Sequence, residues 1–159
     1  MFSKIESTAH PPKSKPVLIW DGECGFCKYW ITYLKQRTKD NIVFETYQEA
    51  ASRFPDIPLK EFKKASRLIE LDGHVYGGPD SLYRGLKHSD EKTFPWHRWY
   101  QEYFWFTRLN DWSYNYIAKN RPFMFKVTKA LFGENPKRLK LYWIIYTSAI
   151  VTIIIFFSF

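Results

Sequence analysis

The sequence predicts an α/β fold that continues into helices and ends in one transmembrane helix. Three observations carry this. Residues 17–47 read as strand, helix, strand. An Asp72-Gly73 dipeptide then links two further short strands, and residues 141–159 run for nineteen positions without a charged side chain.

The first residues, MFSKIESTAHPPKSKP, hold no apolar stretch of the kind a secretory signal needs. Rich in Pro, Ser and Lys, residues 1–15 are expected to form a disordered leader. Val17-Leu18-Ile19-Trp20 is wholly apolar, which suits a central strand buried on both faces. Asp21-Gly22 ends it. A helical pattern follows from Cys24 to about Thr38, with Phe26, Tyr29, Trp30, Tyr33 and Leu34 at the spacing of one apolar face. Lys35, Arg37 and Lys39 gather at its C-terminal end, where they complement the helix dipole. Ile42 to Tyr47 has the composition of a second strand, so the unit is βαβ with a right-handed crossover.

A helical stretch broken by Pro55 and Pro58 leads to Arg67–Leu71 and His74–Gly77. The Asp72-Gly73 link between them predicts a hairpin with a type I′ turn, which needs positive φ at both residues. Gly78-Pro79-Asp80-Ser81 opens another helix, with Leu82, Tyr83 and Leu86 facing inward. The order βαβ, helical linker, β-hairpin, helix over residues 16–93 is that of a thioredoxin-like domain. That fold keeps its chemistry at the first strand-to-helix junction.

Residues 94–136 form an aromatic and basic helical extension. In 94–116, eleven of twenty-three residues are aromatic, and Trp96, Trp99, Tyr100, Tyr103 and Phe104 share a helical stripe with Trp105 and Phe106 off it. Such a surface either packs between the domain and its neighbours or lies at a membrane interface. Stacking on bases would use the same residue types, but no nucleic-acid recognition module is present, so nucleic acid is not an expected partner. Residues 137–159 are expected to form a C-terminal transmembrane helix with a basic flank. A helix over 141–159 would span roughly 28 Å, close to the hydrocarbon thickness of a bilayer. Tyr142 and Trp143 at one end, and Phe156, Phe157 and Phe159 at the other, would settle near the two interfaces. Lys137, Arg138 and Lys140 precede it, with Lys119, Arg121, Lys126 and Lys129 upstream. Positive flanks stay on the cytoplasmic side, so the expected arrangement is a single-pass C-terminal anchor with the N-terminal domain facing the cytoplasm. The formal charge of +8 is then membrane-proximal, and anionic lipid is its expected partner.

Cys24 and Cys27 are the only cysteines. A structural zinc needs four ligands, and His10, His74, His88 and His97 stand at no ligand spacing from each other or from the cysteines. A two-thiolate site for a soft metal such as Cu(I) is an alternative. Thiol–disulfide exchange has the fuller mechanism. Cys24 sits at a helix start, where unpaired N–H groups and the dipole favour its thiolate. Cys27, one turn on, is placed to attack a mixed disulfide and resolve it. Gly25 lets the backbone tighten between them, and Phe26 either packs inward or forms part of a substrate platform. Glu23 would oppose the thiolate if its charge were close, so the net direction of the shift is open. Asp21 has two candidate roles: bonding the N–H groups of the turn, or moving a proton to and from Cys27.

Asp21-Gly22-x-Cys24-x-x-Cys27 after an apolar strand resembles the DCC family of thiol-disulfide oxidoreductase-like proteins, named for its Asp-Cys-Cys pattern. The resemblance extends over roughly residues 16–133. Tyr76-Gly77-Gly78 after the hairpin is similar to the family's second half, and Tyr116-Ile117-Ala118-Lys119-Asn120-Arg121 with Leu131-Phe132-Gly133 is similar to its C-terminal signature. It implies a thioredoxin-like fold and an oxidoreductase acting on protein or small-molecule thiols and disulfides, without a cofactor or metal. Ordinary thioredoxins place a cis-proline before the third strand. Here that stretch is Lys64-Ala65-Ser66-Arg67, a non-proline cis bond would cost ~3 kcal/mol, and Ser66 is expected to present a hydroxyl toward Cys24 instead. Gly25, Phe26 and Ser66 are thus the candidate substrate-binding residues. Two readings compete with catalysis: a dithiol that carries a soft metal or senses redox state, and a membrane-associated scaffold working through residues 94–140.

Overall fold

The computed structural model of the chain describes residues 2–158, and their side chains as far as Thr152. Its centre is a four-stranded mixed sheet in the order β2-β1-β3-β4. β1 is Val17–Trp20, β2 Val43–Thr46, β3 Arg67–Ile69 and β4 Val75–Gly77. β1 and β2 run parallel with Val17 opposite Val43, while β3 is antiparallel to β1 with Val17 opposite Ile69. β4 closes the sheet antiparallel to β3. Parallel strands need a crossover, which α1 (Gly25–Thr38) supplies. The chain therefore begins in the thioredoxin-like βαβ manner.

Period-two alternation in β1 divides the core into two layers. Val17 and Ile19 face one side with Ile69 and Val75, against Ala50, Phe54, Ile57 and Phe62 from α2 (Tyr47–Ala50), α3 (Leu59–Lys64) and their connection. Leu18 faces the other side with Leu68, against Ile31 and Leu34 of α1 and Leu82 and Leu86 of α4 (Pro79–Leu86). Each fully buried aliphatic side chain contributes roughly 1.5–3 kcal/mol. The α1 stripe differs from expectation. Ile31 and Leu34 are buried against the sheet, Tyr29 and Thr38 are buried as well, and Phe26 and Trp30 line a cavity. α1 is sandwiched, so it buries more than one stripe.

Two turn-level expectations also change. The hairpin is not a two-residue type I′ turn. Gly73 donates its N–H to the Glu70 carbonyl, Glu70 donates to the His74 carbonyl, and Gly73 alone has positive φ (+86°). This is the longer hairpin connection with glycine in the left-handed position. Residues 1–15 were expected to be a disordered leader, yet Ser7 bridges His74, Thr8 donates to the Gly73 carbonyl and Val75 to the Glu6 carbonyl. Phe2 is buried against the edge of Tyr114. The strand-edge N–H and C=O groups near β4 attract this segment, a partner that composition does not register.

After residue 94 come α5 (Trp96–Glu102), α6 (Phe104–Lys119), α7 (Arg121–Phe132) and α8 (Tyr142–Ser158). The single aromatic stripe over 94–116 does not form, because the chain turns at Tyr103, which is extended. The Thr107 hydroxyl bonds the Tyr100 and Tyr103 carbonyls at this corner. Tyr100 and Phe106 are buried, and Phe104, Trp105 and Trp112 are exposed. Pro122 lacks the N–H that would continue α6, so α7 starts afresh at Arg121. The transmembrane helix expected over residues 137–159 is not found by length and hydropathy. Among the described residues no helix is long and apolar enough to cross a membrane. α8 has 17 described residues, or ~26 Å along its axis. Phe159 and the side chains of Phe156 and Phe157 lie outside the described residues.

Arg67, fully buried in β3, pairs with buried Glu61 of α3 at 3.2 Å, and its guanidinium lies over the Phe2 ring. Removing the acid leaves an unpaired buried charge. Glu61→Ala is expected to lower stability by about 3–5 kcal/mol in urea denaturation, while exposed Glu102→Ala changes it by less than ~0.5 kcal/mol.

Candidate active site at the start of helix α1

The site begins where β1 ends. Asp21-Gly22 turns the chain, the Cys24 N–H donates to the Asp21 carbonyl at 3.2 Å, and Cys24 becomes the N-cap of α1 in an extended conformation. An N-cap ordinarily offers a side-chain oxygen to the first-turn N–H groups. Here the Cys24 sulfur takes that place, accepting the Cys27 N–H at 3.1 Å. The cap is best served by an anion, and the positive end of the helix favours one.

The two thiols are pushed in opposite directions. Hydrogen bonding from the Cys27 thiol, opposed by burial and aided by the Cys27 N–H and Arg121, lowers Cys24 to about 6. Asp21 works against that shift. Cys27 is raised, first by its bond to the Cys24 sulfur and then by burial and the charge on Cys24. At pH 7 Cys24, lowered to about 6, is about nine-tenths thiolate. Both cysteines are free. Cys24 is thus the more readily ionised thiol and Cys27 the one that keeps its proton, a division of the kind that disulfide exchange uses.

Asp21 holds the surroundings. One oxygen pairs with Arg121 of α7 at 2.6 Å, and the other accepts the Glu23 N–H at 3.2 Å and Gln48 at 3.4 Å. Bonding to a turn N–H, the first of its two expected roles, is therefore seen. Arg121 also donates to the Lys63 carbonyl at 3.3 Å, which ties α7 to the end of α3. α7 comes close because residue 25 is glycine: a Cβ there would stand 3.1 Å from the Phe125 ring. The Tyr29 hydroxyl, bonded to the Gly133 carbonyl at 2.8 Å, pins the other end of α7.

Between α1, α3, α6 and α7 lies a cavity of about 360 Å³. Asp21, Phe26, Cys27 and Ser66 all line it, so four of the six candidate residues meet there. Cys24 joins it through Cys27, and Gly25 serves α7 rather than the cavity wall. The Ser66 hydroxyl, expected to turn toward Cys24, instead bonds Ser81 at 2.8 Å and lies 3.3 Å from the Tyr114 hydroxyl, which hold it. Among the described residues no peptide bond is cis. Sequence reasoning missed Arg121 and Tyr114. Arg121 stood in the C-terminal signature but was counted only with the basic flank, and Tyr114 stood inside the aromatic run with nothing to single it out. Among the described residues no three His, Cys, Asp or Glu side chains come together to hold a metal.

A family model described as DCC1-like thiol-disulfide oxidoreductase matches residues 18–127, from β1 into α7, taking in both cysteines, Tyr114 and Arg121. The chain belongs to that family. No curated protein and no solved structure matches it.

Iodoacetamide alkylation of Cys24, followed by mass spectrometry, is expected to rise with pH through a midpoint of about 6. Arg121→Ala removes a positive charge that favours the thiolate, so the midpoint moves up. Asp21→Asn removes an opposing charge, so it moves down.

Proposed function

We propose that the Cys24–Cys27 pair is a working exchange centre in which Cys24 attacks a disulfide, Cys27 resolves the mixed disulfide, and Asp21 positions Arg121 beside them. The observation that carries this is the Cys24 sulfur capping α1 and accepting the Cys27 N–H. Attack by the Cys24 thiolate forms a bond to one substrate sulfur and expels the other as a thiolate, which water protonates. Cys27 then gives up its proton and attacks the Cys24 sulfur. The Cys24–Cys27 disulfide forms and the second substrate thiol leaves. Two electrons pass from the pair to the substrate, and a second thiol donor returns the pair to its reduced form. In a reducing compartment this favours reductase or isomerase work.

The chain is also proposed to be anchored by α8 in a membrane, with the dithiol on the cytoplasmic side. α8 carries no charged residue in its first or last turn, and Ile144, Ile145, Ile150 and Val151 are exposed. An apolar helix exposed at every described side chain from Trp143 to Thr152 suits lipid. Lys137, Arg138 and Lys140 before it favour the cytoplasmic side.

Two measurements test these readings. Single-turnover reduction of a small disulfide by the reduced protein is expected to vanish in Cys24→Ser, while Cys27→Ser accumulates a mixed disulfide visible by mass. Equal rates in wild type and Cys24→Ser would exclude the exchange reading. In cells, the full chain is expected to stay with membranes after alkaline extraction and its thiols to resist an impermeant reagent. Removal of residues 141–159 is expected to release it; release of the full chain would exclude the anchor.

A further inference from the structure

The cavity beside the dithiol is larger than exchange itself needs. At about 360 Å³ it falls within the range of small-molecule sites. Its wall is apolar and drawn from well-separated parts of the chain: Trp30 of α1, Phe62 of α3, Ile117 of α6, and Met124, Leu131 and Phe132 of α7. Polar groups enter the lining through few residues, Asp21, Ser66, Tyr114 and Arg121 among them.

Three features favour a small molecule over a polypeptide as the substrate. An extended peptide binds beside a strand by pairing with free backbone groups. At the start of β3 the Ser66 N–H is already taken, donating to the Tyr114 hydroxyl at 3.1 Å. α7 lies over the dithiol, with Phe125 against Gly25 and Arg121 on Asp21, and Cys24 is only 9% exposed. Trp20 belongs to the same cavity wall, and its Nε1–H is buried with no acceptor among the described residues. A buried donor without a partner is unfavourable, and a ligand oxygen would satisfy it. Arg121 stands at the same cavity and offers such an oxygen a positive charge.

We infer that this cavity is the substrate site for a low-molecular-weight disulfide whose apolar arm ends in a carbonyl or carboxylate. The inference rests on the exchange reading above and adds the substrate class to it. The apolar arm lies along Trp30, Met124 and Leu131, its oxygen meets Trp20 or Arg121, and its disulfide reaches the Cys24–Cys27 pair. Bonds and electrons change hands as in the exchange already written: the substrate disulfide gains two electrons and two protons, and the cysteines become a disulfide.

The full-length reduced protein would be mixed in single-turnover experiments with three probes. These are the symmetric disulfide of 6-mercaptohexanoate, 2-hydroxyethyl disulfide and insulin, each rate being divided by that of dithiothreitol with the same probe. The hexanoate disulfide is expected to react at least about ten-fold faster than the other two, since a filled apolar pocket discriminates by factors of this size. Met124→Trp, which fills the cavity, is expected to lower that rate about ten-fold and to lower the rate with 2-hydroxyethyl disulfide by a clearly smaller factor. Val127→Phe fills the same wall and stands in should Met124→Trp fail to fold by circular dichroism. Equal normalised rates for the three probes, or a filling variant that slows all of them alike, would overturn the inference and leave the exchange reading intact. Failure of the reduced wild type to reduce any probe would overturn the exchange reading and this inference with it.

Discussion

The charge on Cys24 has to be held at the edge of an apolar interior, and much of the structure follows from how that is done. One helix end cannot do it alone. The Cys27 thiol and N–H bind the sulfur from within the same turn, and Arg121 adds its charge from α7. Asp21 then holds Arg121 at 2.6 Å. Its acid opposes the thiolate, yet it fixes the cation that supports it. β1 matters because its end sets the turn at Asp21-Gly22, and the buried sheet gives that turn a rigid base.

The asymmetry of the two thiols comes from the same arrangement. A single bond between neighbours stabilises the anion on one sulfur and keeps the proton on the other, and burial then penalises a second charge. The closing of α7 over α1 has two effects. It brings the guanidinium, and it walls off an apolar space beside Cys27. Gly25 permits both, because any side chain at that position would hold Phe125 away. Helices α6 and α7 are thus part of the site.

α8 poses the opposite case. Among the described residues, Ile145, Ile150 and Val151 stay more than half exposed. That exposure is what supports the anchor proposed for α8, in which the cations before it would bias the side of the membrane that the dithiol faces.

Local pattern was enough to determine the βαβ start, the helix boundaries of α1 and the pairing of Cys24 with Cys27, because each depends on neighbours a few residues apart. The apolar run of β1 signals a strand buried on both faces, and a cysteine before an amphipathic stretch signals a cap. Tertiary structure decided the rest. The Asp21–Arg121 pair joins residues a hundred positions apart, and Tyr114 reaches Ser66 across forty-eight. Contacts of that range leave no periodicity to read. The corner at Tyr103 and the docking of residues 2–8 beside β4 were hidden for the same reason: in each, a backbone group was satisfied by a partner that only the folded chain brings near.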